Sequence, residues 1–120
     1  MHEMSIAQSI LDIVNQEMTK NGLTKLIKVQ VKYGWLTNTM PEALELAFEA
    51  LTLDGQYSPL KGAVFALEAV PTRYQCGQCG IEFSPEEPAH LFVPCPGCGE
   101  EFGHKVLAGK ELYIDFIEAQ

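Results

Sequence analysis

The stretch CGQCGIEF at residues 76–83 returns as CPGCGEEF at residues 95–102, and together the two copies hold all four cysteines of the chain, Cys76, Cys79, Cys95 and Cys98. A C-x2-C turn, with glycine beside the cysteines to let the backbone close tightly, brings two thiolates onto one ion while nearby N–H groups donate to the sulfurs. Two such pairs, separated by residues 80–94, have the spacing of a four-cysteine site. Zinc suits tetrahedral thiolate coordination best, with tetrathiolate iron the chemical alternative at this level. A thioredoxin-like redox motif would need a single C-x-x-C beside a βαβ unit, and here the motif is doubled and lies between strands. Four thiolates leave no position for water or substrate, so the zinc is expected to be structural. His90 and His104 are the other possible ligands in this region, and with four thiols available both are expected to be loop or surface residues.

Residues 73–104 are too few to build a core, so metal binding must supply much of this module's folding free energy. Outward from it, strands are expected on both sides. AVFALEAV, stopped by Pro71, is rich in β-formers, and ELYIDFIEA alternates Leu112, Ile114 and Phe116 with Tyr113 and Asp115. KLIKVQVKYG sets Ile27, Val29, Val31 and Tyr33 against Lys28, Gln30 and Lys32, a strand with one wet face. Two helices complete the pattern. Ala7, Leu11, Val14 and Met18 recur at helical spacing from Met4 to a stop at Gly22. Thr39-x-x-Glu42 reads as a capping box, with Pro41 in the first turn, for a helix carrying Leu44, Ala47, Phe48 and Leu51 and closed by Asp54-Gly55. The expected fold is α+β: two helices packed on a small three-stranded sheet, with an inserted zinc-ribbon-like four-cysteine module. Residues 1–72, completed by a strand in 105–120, form one domain and residues 73–104 the module.

Composition narrows the function. A chain of 120 residues, 47% hydrophobic, can bury one modest core. A net charge of -8 repels phosphate backbones, which argues against nucleic acid. Around the cysteines, Glu82, Glu86, Glu87, Glu100 and Glu101 outnumber Arg73 and Lys105, so a protein partner is the better expectation for this surface. No stretch approaches a membrane span and residues 1–20 are unlike a secretory signal, so the expected location is cytoplasmic. No phosphate loop, open metal position or nucleophile–base pair suggests an enzyme.

The chain opens MHEM. A histidine at position two can combine its imidazole with the terminal amine and deprotonated amide nitrogens, a planar nitrogen set suited to Ni(II) or Cu(II). The residues alone equally allow, and favour, a frayed terminus with His2 in solvent and Glu3 complementing the helix dipole.

Taken in order, MHE, SIAQSILDIV, YGWLTNTMPEALELAFEAL, the twin C-x2-C pairs with PCPGCG, and AGKEL resemble the HypA/HybF family of nickel-delivery accessory proteins of [NiFe]-hydrogenase maturation. Thr37-Asn38-Thr39-Met40 departs from the polar SG-containing segment usual before PEAL, and AGKEL stands for an SGREL-like motif. The resemblance implies a nickel metallochaperone. His2 would be the principal nickel ligand, with the Met1 amine and Glu3 beside it, and Cys76, Cys79, Cys95 and Cys98 would hold zinc. It also implies a nickel-insertion GTPase and the hydrogenase large-subunit precursor as partners, with self-association to a homodimer possible. The competing reading is a zinc-stabilised interaction module whose terminus has no metal role.

Overall fold

The computed structural model describes residues 2–53, 55–86 and 93–120. Met1, Asp54, Glu87 and His90, each of which carried a sequence expectation, lie outside them. The elements run α1 (Glu3–Lys20), β1 (Leu26–Gly34), a 3-10 turn at Trp35–Thr37, α2 (Pro41–Thr52), a second 3-10 segment at Gly55–Leu60, β2 (Val64–Val70), β3 (Arg73–Gln75), β4 (Glu82–Phe83), β5 (Lys105–Ala108) and β6 (Leu112–Ala119). They form two compact units, one of Met1–Lys32, Thr39–Glu68 and Tyr113–Gln120, the other of Tyr33–Asn38 and Ala69–Leu112.

In the first unit, α1 buries Ala7, Ile10, Leu11, Val14 and Met18, the apolar stripe that its spacing demanded. Its end is a Schellman motif: Gly22, at φ 69°, donates to the Thr19 carbonyl and Leu23 to that of Met18. Glycine takes this left-handed position without a Cβ clash. Helix α2 buries Leu44, Ala47, Phe48 and Thr52. The helix begins one residue later than the expected capping box places it. Met40, directly before Pro41, is the extended N-cap residue, because proline disfavours a helical conformation in the residue it follows, and its thioether makes no capping bond. The Met40 N–H instead faces a Glu3 carboxylate oxygen of α1, at 3.5 Å.

The sheet of this fold has the order β2-β1-β6, three strands as expected. Val29 and Val31 of the central strand are fully buried, and Phe65 of β2 stacks on Phe48 of α2 with ring centroids 4.4 Å apart. Burying each such side chain contributes about 1.5–3 kcal/mol. On the wet face, Lys32 lies 3.9 Å from Glu68 and 3.8 Å from Asp115, reaching from the central strand to both neighbours. Two details depart from simple alternation. Leu26 rather than Ile27 is buried where β1 begins. Along β6 the pattern slips after Asp115, so Phe116 is exposed, with Lys28 Nζ 5.6 Å from its ring centre, and Ile117 takes the half-buried place.

The second unit has a sheet that the sequence did not announce, with the order β4-β3-β5. Both pairings are antiparallel, with Tyr74 opposite Phe83 and Val106, and Gln75 opposite Glu82 and Lys105. The segment 105–120 is therefore two strands in two sheets. It breaks at Gly109, whose φ of 112° ordinary residues rarely adopt. Among the described residues no helix is long and apolar enough to cross a membrane.

Candidate metal centre

The near-repeat folds as two matching turns. In the first, the Cys76 N–H donates to the Ile81 carbonyl at 2.9 Å and the Gly80 N–H to the Cys76 carbonyl at 3.1 Å. In the second, Cys95 donates to Glu100 at 2.9 Å and Gly99 to Cys95 at 2.8 Å. Gly80 and Gly99 share φ 79°, the left-handed conformation that closes each turn. The same residues therefore do the same work twice.

These turns bring the four sulfurs together, all within 4.8 Å of one another. Cys76 and Cys98 are 3.5 Å apart, as are Cys79 and Cys95. A disulfide would require about 2.05 Å. Four sulfurs about 2.3 Å from a tetrahedral ion lie about 3.8 Å from each other, so the spacing fits a shared cation. Backbone donors already face the sulfurs: Gln78 and Cys79 N–H to Cys76 at 3.4 and 3.5 Å, and Gly97 N–H to Cys95 at 3.4 Å. Cys76 and Cys95 are buried, while Cys79 and Cys98 are exposed.

Protonation of the metal-free thiols follows from these contacts. The Cys79 backbone N–H, with help from Gln78 and the neighbouring thiols, outweighs burial and lowers Cys76 to about 6. At Cys79 the Ile81 N–H lowers the thiol, but burial and the Cys95 and Cys76 thiols together raise it. At Cys98 the Glu100 N–H is likewise outweighed, by the Cys76 thiol, burial and the other two cysteines, and the group is pushed up to about 12. One thiolate forms easily and its neighbours then resist. A cation at the centre removes that opposition.

His104, expected as a loop or surface residue, is a half-buried loop residue outside the sulfur cluster. Its Nε2 lies 2.8 Å from the Val93 carbonyl and 2.9 Å from that of Glu100, and its ring meets Phe83 edge-on at 5.1 Å. No periodicity in the sequence marked this role.

At the other candidate site, His2 is the N-cap residue of α1. Its carbonyl accepts from the Ile6 N–H at 3.1 Å, while its exposed imidazole makes no capping bond. Glu3 begins the helix, and Met1 lies outside the described residues. His2, Glu3 and Met4 line one side of an open cleft of about 540 Å³ whose other side is Ala43, Leu46 and Ala50 of α2.

Fold and centre define a small α+β metal-binding protein built on a four-thiol cluster. Comparison with known proteins makes this specific. The HypA family model, described as "Hydrogenase/urease nickel incorporation, metallochaperone", matches residues 1–119, and the chain belongs to the HypA family. It is 48% identical to the hydrogenase maturation factor HypA of Solidesulfovibrio magneticus and 40% identical to that of Lawsonia intracellularis, each match covering the whole of both chains. Its fold is similar to the solution structure of the Ni metallochaperone HypA from Helicobacter pylori, with 22% identity, a TM-score of 0.66 and 99% and 97% of the two chains covered. A second solution structure, of HypA protein, aligns with a TM-score of 0.71 at 22% identity over 100% and 97% of the chains. The resemblance carried by MHE, PEAL, PCPGCG and AGKEL is thereby established for the chain as a whole.

Proposed function

We propose that the protein carries Ni(II) at its amino terminus, on His2 with the Met1 amine and Glu3, and hands it to a partner during [NiFe]-hydrogenase maturation. Cys76, Cys79, Cys95 and Cys98 hold a structural zinc ion. The observation that carries the nickel reading, within a nickel-metallochaperone family, is His2 itself: an exposed imidazole uncommitted to capping, at the N-cap of α1. The first helical amides have no intrahelical acceptor, so the backbone nitrogen of Glu3 can join a planar nitrogen set without breaking the helix. A terminus with few ligands lets cargo leave by exchange, as a carrier requires. The Glu3 carboxylate faces the Met40 amide, which favours backbone participation by Glu3 over its side chain.

Zinc is supported by the soft tetrahedral donor set and its backbone hydrogen bonds. Four thiolates complete the coordination and leave no position for a substrate, so the protein acts as a carrier and not as an enzyme. Its partners are a nickel-insertion GTPase and the hydrogenase large-subunit precursor, met in the cytoplasm, with a homodimer as a further assembly. The test is nickel titration of tag-free protein beside His2→Ala, with metal analysis of both. One zinc in each and nickel only with His2 is the expected result. Full nickel affinity in the variant would remove His2 from the site; zinc without nickel in either protein would leave a zinc-stabilised interaction module.

A further inference from the structure

We infer that His104 is a positioning residue for the second cysteine pair: its Nε2–H, shared between the Val93 and Glu100 carbonyls, holds the Cys95–Glu100 turn in the shape that presents Cys95 and Cys98 to the metal. The inference rests on the reading of the four cysteines as a zinc site.

The two turns have the same internal bonds but different supports. The first is continued on both sides by paired strands, with Gln75 opposite Glu82 and Tyr74 opposite Phe83. Those pairs fix the chain where it enters and leaves the turn. In the second copy the repeat equivalents of Tyr74 and Phe83 are Val93 and Phe102, and among the described residues neither lies in a strand. Phe102 is 62% exposed, whereas Phe83 packs 5.6 Å from Tyr74. Among the described residues, the second turn has no counterpart of the Tyr74–Phe83 strand pair.

His104 ties the two ends of that turn together. Val93 stands two residues before Cys95, and Glu100 two residues after Cys98. One imidazole nitrogen reaches both carbonyls, at 2.8 and 2.9 Å. The Glu100 oxygen is also the acceptor of the Cys95 N–H, so His104 binds the very carbonyl that closes the turn. Two carbonyl acceptors require hydrogen on Nε2. Nδ1 is buried with no partner among the described residues, which fits an unprotonated nitrogen, since a second N–H there would be desolvated without an acceptor. The ring is seated by the Phe83 edge contact and by Tyr74 at 6.1 Å, both aromatics of the strands that brace the first turn. Support thus passes from the sheet through one histidine to the second pair of ligands. Groups that orient metal ligands from behind in this way change metal affinity by about 10–100-fold when removed.

The test compares zinc release to a chelator from the wild type, H104F and H104Q. Phenylalanine keeps an aromatic ring without a donor; glutamine restores a side-chain N–H. Wild-type zinc content, about one per chain, tests the parent reading, and its absence would overturn both. With zinc present, H104F should release it about tenfold faster or more, with H104Q recovering much of the difference. Release from H104F at the wild-type rate would overturn the positioning role alone, and equal loss in both variants would show that a side-chain N–H does not restore the site and overturn it too. Should H104F not fold, imidazole nitrogen NMR of the zinc-loaded wild type decides: an Nε2–H tautomer is expected, and an Nδ1–H tautomer would sink the inference.

Discussion

Gly34, the last residue of β1, lies so close to Gly109 that a Cβ on it would stand 2.0 Å from the Gly109 carbonyl oxygen. Two backbone bonds draw the chains together there: the Gly34 N–H donates to the Glu111 carbonyl at 2.7 Å and the Leu36 N–H to that of Gly109 at 2.9 Å. Gly109 is pressed in turn against Thr72, where its own Cβ would meet Thr72 Cα at 2.9 Å, and the Glu111 carboxylate accepts from the Gly109 N–H. The glycines of YGW and AGKEL are one packing feature written in two places.

Gly34→Ala should therefore lower stability by about 2 kcal/mol or more, and Gly109→Ala similarly, since it adds left-handed strain to the clash. Gly55, with open space where its Cβ would be, is the control, and its alanine variant should stay within about 0.5 kcal/mol. Urea unfolding of the three variants measures this; an unchanged Gly34→Ala would contradict the close approach.

Zinc uptake should release protons. Cys79 is raised and Cys98 is pushed up to about 12, so both thiols are protonated in metal-free protein at pH 7 and must give up their protons on binding. Cys76, lowered to about 6, is largely ionised there already. As pH falls through 6, Cys76 also takes a proton, and competition between proton and metal steepens the loss of affinity. Calorimetry of zinc binding in buffers of different ionisation enthalpy at pH 7 should return about two protons or more per zinc. A buffer-independent enthalpy would contradict this.

An additional residue before Met1 should weaken nickel binding while leaving zinc content unchanged, because it moves the terminal amine away from the His2 imidazole. Parallel titrations of the native and extended proteins read the effect directly. Equal affinities would limit the nickel ligands to side chains and internal amides.

Tyr57, 1% exposed, donates its hydroxyl to an Asp12 carboxylate oxygen of α1. Tyr57→Phe keeps the ring and removes that donor, so it should cost about 1.5–3 kcal/mol, the range for hydrogen bonds to charged groups, with metal binding unaltered. Thermal unfolding with metal analysis checks both parts. A variant as stable as the wild type would show the bond to contribute nothing net.

Legibility followed the range of the forces involved. Both helices could be read because burial repeats every three to four residues, as Ala7, Leu11, Val14 and Met18 display. The α2 cap was misplaced by one residue, since Thr39 and Glu42 have capping-box spacing but Pro41 makes Met40 the last extended residue. Phe116 was assigned to the buried set because alternation was assumed to persist through Asp115. Strands β3, β4 and β5 are two to four residues long, too short for any periodicity to declare itself.

By itself the sequence determined the cysteine pairs, the two amphipathic helices and the three long strands, because each rests on residues a few positions apart along the chain. It also carried the family, through motifs met in order from residue 1 to 119. Tertiary structure alone decided that β1 lies between β2 and β6, that Gly34 meets Gly109, and that His104 reaches Val93 and Glu100. Those are contacts between segments distant in sequence, fixed by backbone hydrogen bonds and close packing once the chain has folded, and local spacing holds no record of them.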